Sequence, residues 1–208
     1  FHSYYDQDVT LYKAGESATE SETVPAPTSP RAMTNPFFTI VRLSDYNQLV
    51  DLYGRDRLEL PDGEYAVVCD LEASQRELYV LLAGGVDAKV FGQVLKSRYD
   101  KSQDGFIKNG PMRQNEGFVV VPDGVVDESC AATDYLIGNY NEEAMSHLDE
   151  TEKMVQEQLL AVDRVSDPAN ADDSEFWVKS MTKASAVISA IVSGAMMTFV
   201  CLYLGVVF

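Results

Sequence analysis

"ASAVISAIVSGAMMTFVCLYLGVVF" runs from Ala184 to Phe208 without one charged side chain. All 16 Lys and Arg and all 33 Asp and Glu come before it, Lys183 being the last. A helix of that length rises about 37 Å, and the hydrocarbon core of a bilayer is about 30 Å thick. A helix in a water-soluble core would keep a polar stripe toward solvent, whereas here every face lacks charge. Trp177, Lys179 and Lys183 stand on its N-terminal side, where an aromatic ring and snorkelling amines suit a headgroup boundary. The segment is therefore expected to be a transmembrane helix. Ala186, Ala190 and Gly194 recur every four residues, with Ser185, Ser189 and Ser193 in a neighbouring row. Small residues in rows let another helix approach closely, so a place among other membrane helices is expected.

The rest of the chain is of a different kind. The net charge of −17 sits wholly before Ala184, and its field repels nucleic acid and anionic headgroups while attracting cationic peptides or basic protein surfaces. The 208 residues suffice for one domain with a sizeable core and an appendage. No basic stretch leads into a short apolar one after Phe1, so no signal peptide is expected here. With the apolar run at the other end, this reads as a segment of a longer polypeptide. Cys69, Cys130 and Cys201 have no metal-like spacing and read as isolated thiols, with a Cys69–Cys130 disulfide as the other possibility.

The pattern before Ala184 predicts an α+β domain. Tyr4 to Tyr12 reads as a strand, and residues 13–36, rich in Ser, Thr, Glu and Pro, as a flexible loop. "FFTIVRL" (37–43) predicts a strand; "SDYNQLVDLYG" (44–54) predicts a helix with Ser44 as N-cap and Gly54 at its end. "RLELPDGEYAVVCD" predicts a short strand, a Pro-Asp-Gly turn and a strand from Glu64 to Cys69. "RELYVLLAGG" reads as another strand closed by Gly84 and Gly85, and Phe118 to Val121 as a buried strand stopped by Pro122. Asn141 then caps one long amphipathic helix, with Glu142 and Glu143 in its first turn. Met145, Leu148, Val155, Leu159 and Val162 form its apolar stripe. Two partners fit that stripe, the domain's own sheet or a partner helix. Pro168 breaks the helix, and Asp173 or Ser174 starts the next.

Catalytic patterns are scarce. His2 and His147 have no triad-like or metal-like spacing, and "LAGGVDAK" (82–89) lacks the glycines or basic ending of a nucleotide loop and reads as a turn. Asp100, Ser102, Asp104 and Gly105 resemble a calcium loop only faintly, since Asn109 stands near the place of the bidentate glutamate. Asp163, Asp167, Asp172, Asp173 and Glu175 read as a solvated joint with capping charges. No catalytic, cofactor-binding or metal-binding residue is assigned, and no enzyme activity or cofactor is expected.

"FFTIVRLSDYNQLVDLYGRDRLELPDGEYAVV", "EGFVVVPDGVV", "NYNEEA" and "TFVCLYLGVVF" together resemble the FtsX-like permeases of bacterial ABC transporters, in particular the Gram-positive bacitracin- and lantibiotic-type branch. The likeness covers most of the chain from Phe37 onward. It implies an extracytoplasmic domain inserted between membrane helices, followed by a returning helix with a Tyr203-Leu204-Gly205 segment. The division is then a first strand and loop (1–36), an α+β domain (37–140), an amphipathic helix and connector (141–183) and a transmembrane helix (184–208). By the resemblance, residues 1–183 lie outside the plasma membrane of a bacterium. The implied partners are a separate ATPase subunit, further permease helices, lipid, and a cationic peptide or lipid-linked ligand; Asp167-Pro168 would be a joint. A singly anchored surface receptor or adhesion module without transport activity is the alternative.

Overall fold

A computed structural model describes residues 1–14, 37, 39–107, 117–165 and 183–207. The chain divides into two compact units, Phe1–Gly138 and Asn139–Phe208. The first is α+β, as expected. It carries strands β1 (His2–Tyr5), β2 (Thr10–Lys13) and β3 (Thr39–Arg42), helix α1 (Leu43–Leu52), β4 (Glu64–Val68) and helix α2 (Glu72–Ala83). Strands β5 (Val86–Val90), β6 (Gln93–Ser97), β7 (Phe118–Val121) and β8 (Ala131–Asp134) follow. All eight strands join one sheet in the order β2-β5-β6-β4-β7-β3-β1-β8. The β3–β7 and β4–β6 pairs are parallel, and the other pairs are antiparallel.

The connection between β1 and β2 sets the curvature. Six strand steps separate the two in the sheet, about 29 Å if it were flat at about 4.8 Å per step. Yet only residues 6–9 join them, a link that reaches about 17 Å at most. The sheet must curl. Its hollow side gathers Tyr4 of β1 and Leu11 of β2 into one apolar cluster with Ile40, Val67, Val119 and Leu95. Asp6 secures the link across the curl, its Oδ2 accepting the Phe91 N–H at 2.6 Å. Phe91 and Gly92, at φ 45° and 77°, are the two turn residues between β5 and β6. Both central positions of such a turn require positive φ, which glycine adopts freely and phenylalanine does not.

Alternation along the central strands explains how both faces are covered. Tyr65, Val67 and Cys69 join the inner cluster, while Ala66 and Val68 face a second one with Val41, Phe118 and Val120. A strand buried on both faces reads as an unbroken apolar run, as "EYAVVC" and "FVVV" do. Helix α1 covers the second face through Tyr46 and Val50. Its N-cap is Arg42 without a side-chain bond, so Ser44 does not cap it. The Ser44 N–H instead donates to Asp123 Oδ1 at 3.0 Å.

Four further expectations are corrected. Tyr4 to Tyr12 is two strands separated at residues 6–9, because Gln7 and Asp8 turn the chain. Residues 57–60 form no strand; the Asn47 side chain takes the place of a ladder partner, accepting from Leu58 N and donating to Leu58 O. "RELYVLLAGG" belongs to α2 rather than to a strand. Leu78 and Leu82, one helical turn apart, face the inner cluster, while Val80 between them is 76% exposed. A strand would have put all three on one face. Finally, the long amphipathic helix is broken: α3 (Glu142–Ser146) ends at His147, whose backbone leaves the helical region, and α4 spans Leu148–Val165.

In the second unit, Asn141 caps α3 as expected, its Oδ1 accepting the Ala144 N–H at 2.8 Å. Helix α5 spans Lys183–Val207. Side chains are described for residues 191–203, about 20 Å of helix at 1.5 Å per residue. Among the described residues no helix is long and apolar enough to cross a membrane, so the expected span has no support there. The loop at 15–36, the Pro168 break, the Asp167-Pro168 joint, the Asp173 or Ser174 cap, Trp177 and Lys179 lie outside the described residues.

The helical reading of α2 has a direct check. Leu78→Ala should cost about 2–5 kcal/mol in urea unfolding by cavity formation, and Val80→Ala less than about 0.5 kcal/mol. Comparable losses at both positions would contradict the helix.

Candidate functional site

The residues singled out from sequence do not converge. His2 lies on β1 and pairs with the exposed Asp134 of β8 through Nδ1 and Oδ1. His147 stands exposed at the break between α3 and α4, in the other unit. Cys69 is buried, Cys130 half-buried and Cys201 exposed. The Gly84-Gly85 turn closes on the chain itself: Gly85, at φ 71°, accepts the Ala14 N–H at 3.1 Å.

The loop with a faint calcium pattern is a packed strap. Gln103 bridges to β4 in parallel fashion, its N–H donating to Val67 O and its carbonyl accepting from Cys69 N. Asp104 meets Arg55 at 3.5 Å, and the Arg55 guanidinium lies 4.6 Å from the centre of the Phe106 ring. A Cβ on Gly105 would fall 2.4 Å from Tyr46 Oη and 2.7 Å from Val68 Cγ1. The glycine is thus required by packing. Asn109 is outside the described residues, and among those described no group of three His, Cys, Asp or Glu side chains could hold a metal. Of the acidic joint, Asp163 lies on α4; Asp167, Asp172, Asp173 and Glu175 are outside the described residues.

A polar constellation that the sequence reading missed lies at the β1–β8 side of the sheet. Arg42, the last residue of β3, donates from Nε to Asp45 Oδ2 at 3.0 Å and from Nη1 to Glu128 Oε1 at 3.1 Å. Its guanidinium also stands 5.4 Å from the centre of the Tyr4 ring, within cation–π range. The hydrogen bond it donates to Asp45 holds Arg42 above the usual guanidinium range, and burial raises the Tyr4 phenol. Asp127 accepts from Ser129 N and Oγ at 3.0 and 2.7 Å, and these bonds hold its carboxyl below the ordinary range. Together with Asp123 and Asp134 these carboxylates outnumber the one guanidinium. The only signal in the sequence was Arg42 with Asp45 three residues on; the other members come from distant positions.

No family model, curated protein or solved structure matches the chain.

Two outcomes follow. Gly105→Ala should destabilise by about 1–3 kcal/mol through overpacking, and Tyr46→Phe in the same chain should restore part of the loss by removing the closest atom; an unchanged urea midpoint for Gly105→Ala would contradict the packing. Burial raises the Cys69 thiol from 9.0 to about 11. A raised pKa contributes stability that is present below the unfolded value and is lost as pH rises through the folded one. Stability should therefore fall between about pH 9 and about pH 11, and less so in Cys69→Ala, as unfolding midpoints across that range would report.

Proposed function

We propose that the chain is part of a bacterial ABC transporter permease of the FtsX-like type: an acidic extracytoplasmic recognition domain joined to a transmembrane helix. The supporting observation is the separation of charge. Every Asp, Glu, Lys and Arg lies at or before Lys183, and the uncharged run that follows lies on helix α5 as far as Val207. Residues that solvate well and residues that do not are sorted into two consecutive stretches, as the boundary between water and lipid demands. Ile191, Met196, Met197, Phe199, Leu202 and Tyr203 are exposed around the helix, a costly surface in water and an ordinary one in lipid. Thr198 Oγ1 donates to Gly194 O one turn back, the usual way a hydroxyl is satisfied within a membrane helix.

On this reading the domain recognises a peptide, a lipid-linked molecule or a partner protein outside the cell. A separate ATPase, acting on parts of the permease beyond this chain, supplies the energy. The domain itself is non-catalytic.

Two measurements test this reading. Expressed in bacteria, the chain should stay with the membrane pellet through alkaline carbonate extraction, and Val192→Arg with Phe199→Arg should release it, since a charge near the helix centre costs about 2.5–3.5 kcal/mol on insertion scales. Recovery of the unaltered chain as a detergent-free monomer would overturn the membrane part. For the transport part, the complete reading frame should encode several more membrane helices with an ATP-binding cassette beside it; a frame ending near Phe208 would favour a simple surface anchor.

A further inference from the structure

Among the described residues, strand β8 pairs with β1 alone, at the end of the sheet, and all four of its residues are exposed. The hydrogen bonds of the neighbouring residues fix which of its backbone groups face outward. Tyr135 N donates to Phe1 O at 2.8 Å, and Phe1 N to Tyr135 O at 3.0 Å, so these two exchange both bonds. In an antiparallel ladder, such pairs alternate with pairs whose N–H and C=O point away from each other. The next pair is His2 with Asp134. Asp134 therefore turns its own N–H and C=O to the open side, where a further strand would bond.

The sequence of β8 leaves this side lightly guarded. Edge strands are ordinarily protected by lysine, proline or a bulge. The opposite edge strand, β2, ends on Lys13, while β8 has neither lysine nor proline. Its one irregularity is the register shift opposite Ser3 and Tyr4, where Ala132 is the extra residue. That bulge limits the regular edge to Thr133 and beyond, toward the fully exposed Leu136. The carboxylates here select the occupant. Glu128 and Asp134 are each 80% exposed at the side chain, and Asp127 and Asp123 are exposed close by in sequence. Arg42, the cation among them, is already held by Asp45 and Glu128. A second copy of the chain would bring the same carboxylates face to face; like charges across a strand pair are destabilising.

We infer that the open edge of β8 takes up an extended, basic segment of a partner polypeptide as a ninth strand. Main-chain hydrogen bonds at Asp134 supply the pairing and the surrounding carboxylates supply the charge selection. The inference stands whether or not α5 crosses a membrane, so it fails or succeeds separately from the permease reading.

The test uses the full chain in detergent micelles with a short capped peptide of alternating Lys and Val, and a Glu/Val counterpart. Amide hydrogen exchange at Thr133–Leu136 should slow with the Lys/Val peptide and not with the Glu/Val one. Affinity for the Lys/Val peptide should fall about tenfold or more between about 0.05 and about 0.5 M salt. Asp134→Pro removes the outward N–H while leaving the bonds to β1, and should weaken binding about tenfold or more; Asp134→Asn, which keeps the backbone, should weaken it less. Protection confined to another element, or equal affinity in a folded Asp134→Pro chain, would overturn the inference. So would concentration-dependent dimers that protect Asp134 without peptide, which would make a second copy the occupant. Should Asp134→Pro fail to fold, exchange in the unaltered chain still decides.

Discussion

Everything in the first unit depends on a short tether. Residues 6–9 must connect a strand near one end of the sheet to the strand at the other, and a link of about 17 Å cannot cross about 29 Å of flat sheet. Curling is therefore a covalent requirement rather than a packing preference. It creates a hollow, and a hollow in water must be filled by apolar side chains. Helix α2 is the filler, with Leu78 and Leu82 reaching inward at 1% and 2% exposure. The bond from Phe91 N to Asp6 matters because it ties the tether to the turn it passes. It also helps to hold a phenylalanine at positive φ, a geometry that costs about 1–2 kcal/mol for a residue with a side chain.

The pairing at the centre of the curled sheet is mixed. Strands β4 and β7 lie at its centre, buried on both faces, and receive one neighbour in each direction: β4 is parallel to β6 and antiparallel to β7, and β7 is parallel to β3. The strap at Gln103 continues the β4–β6 edge after those strands part. Its close seat against Tyr46 and Val68 leaves room only for glycine at position 105. A stretch whose Asp and Gly content hinted at ion binding thus has a purely steric reason for its glycine and an ion-pair reason for Asp104.

What the sequence disclosed followed from how local the controlling interactions are. Strands β4 and β7 were legible because doubly buried strands leave unbroken apolar runs, and Asn141 because a cap bonds only three residues ahead. Helix α2 was misread because Leu78 to Leu82 are consecutive apolar residues, which fit a buried strand as well as a helix. The deciding local sign was polar: Glu72 and Arg76 form an ion pair four residues apart. The division of Tyr4–Tyr12 was hidden because both halves suit strands, and only their distant partners, β3 and β5, place them at opposite ends of the sheet. The carboxylate surface around Arg42 was invisible for the same reason. Glu128 stands 86 residues from Arg42 in sequence, and no spacing rule reaches so far.

The two ends of the sheet also differ in how they meet solvent. At β2, Leu11 and Tyr12 are buried and Lys13 closes the strand, so little of that edge invites pairing. At β8 the side chains are exposed and the nearest charges are negative. An acidic edge resists pairing with another copy of itself, since every such approach sets carboxylate against carboxylate. It does not resist a basic strand. The charge that opposes pairing of this edge with a second copy is thus also what would let it discriminate among partners, and one arrangement of Asp127, Glu128 and Asp134 serves both ends.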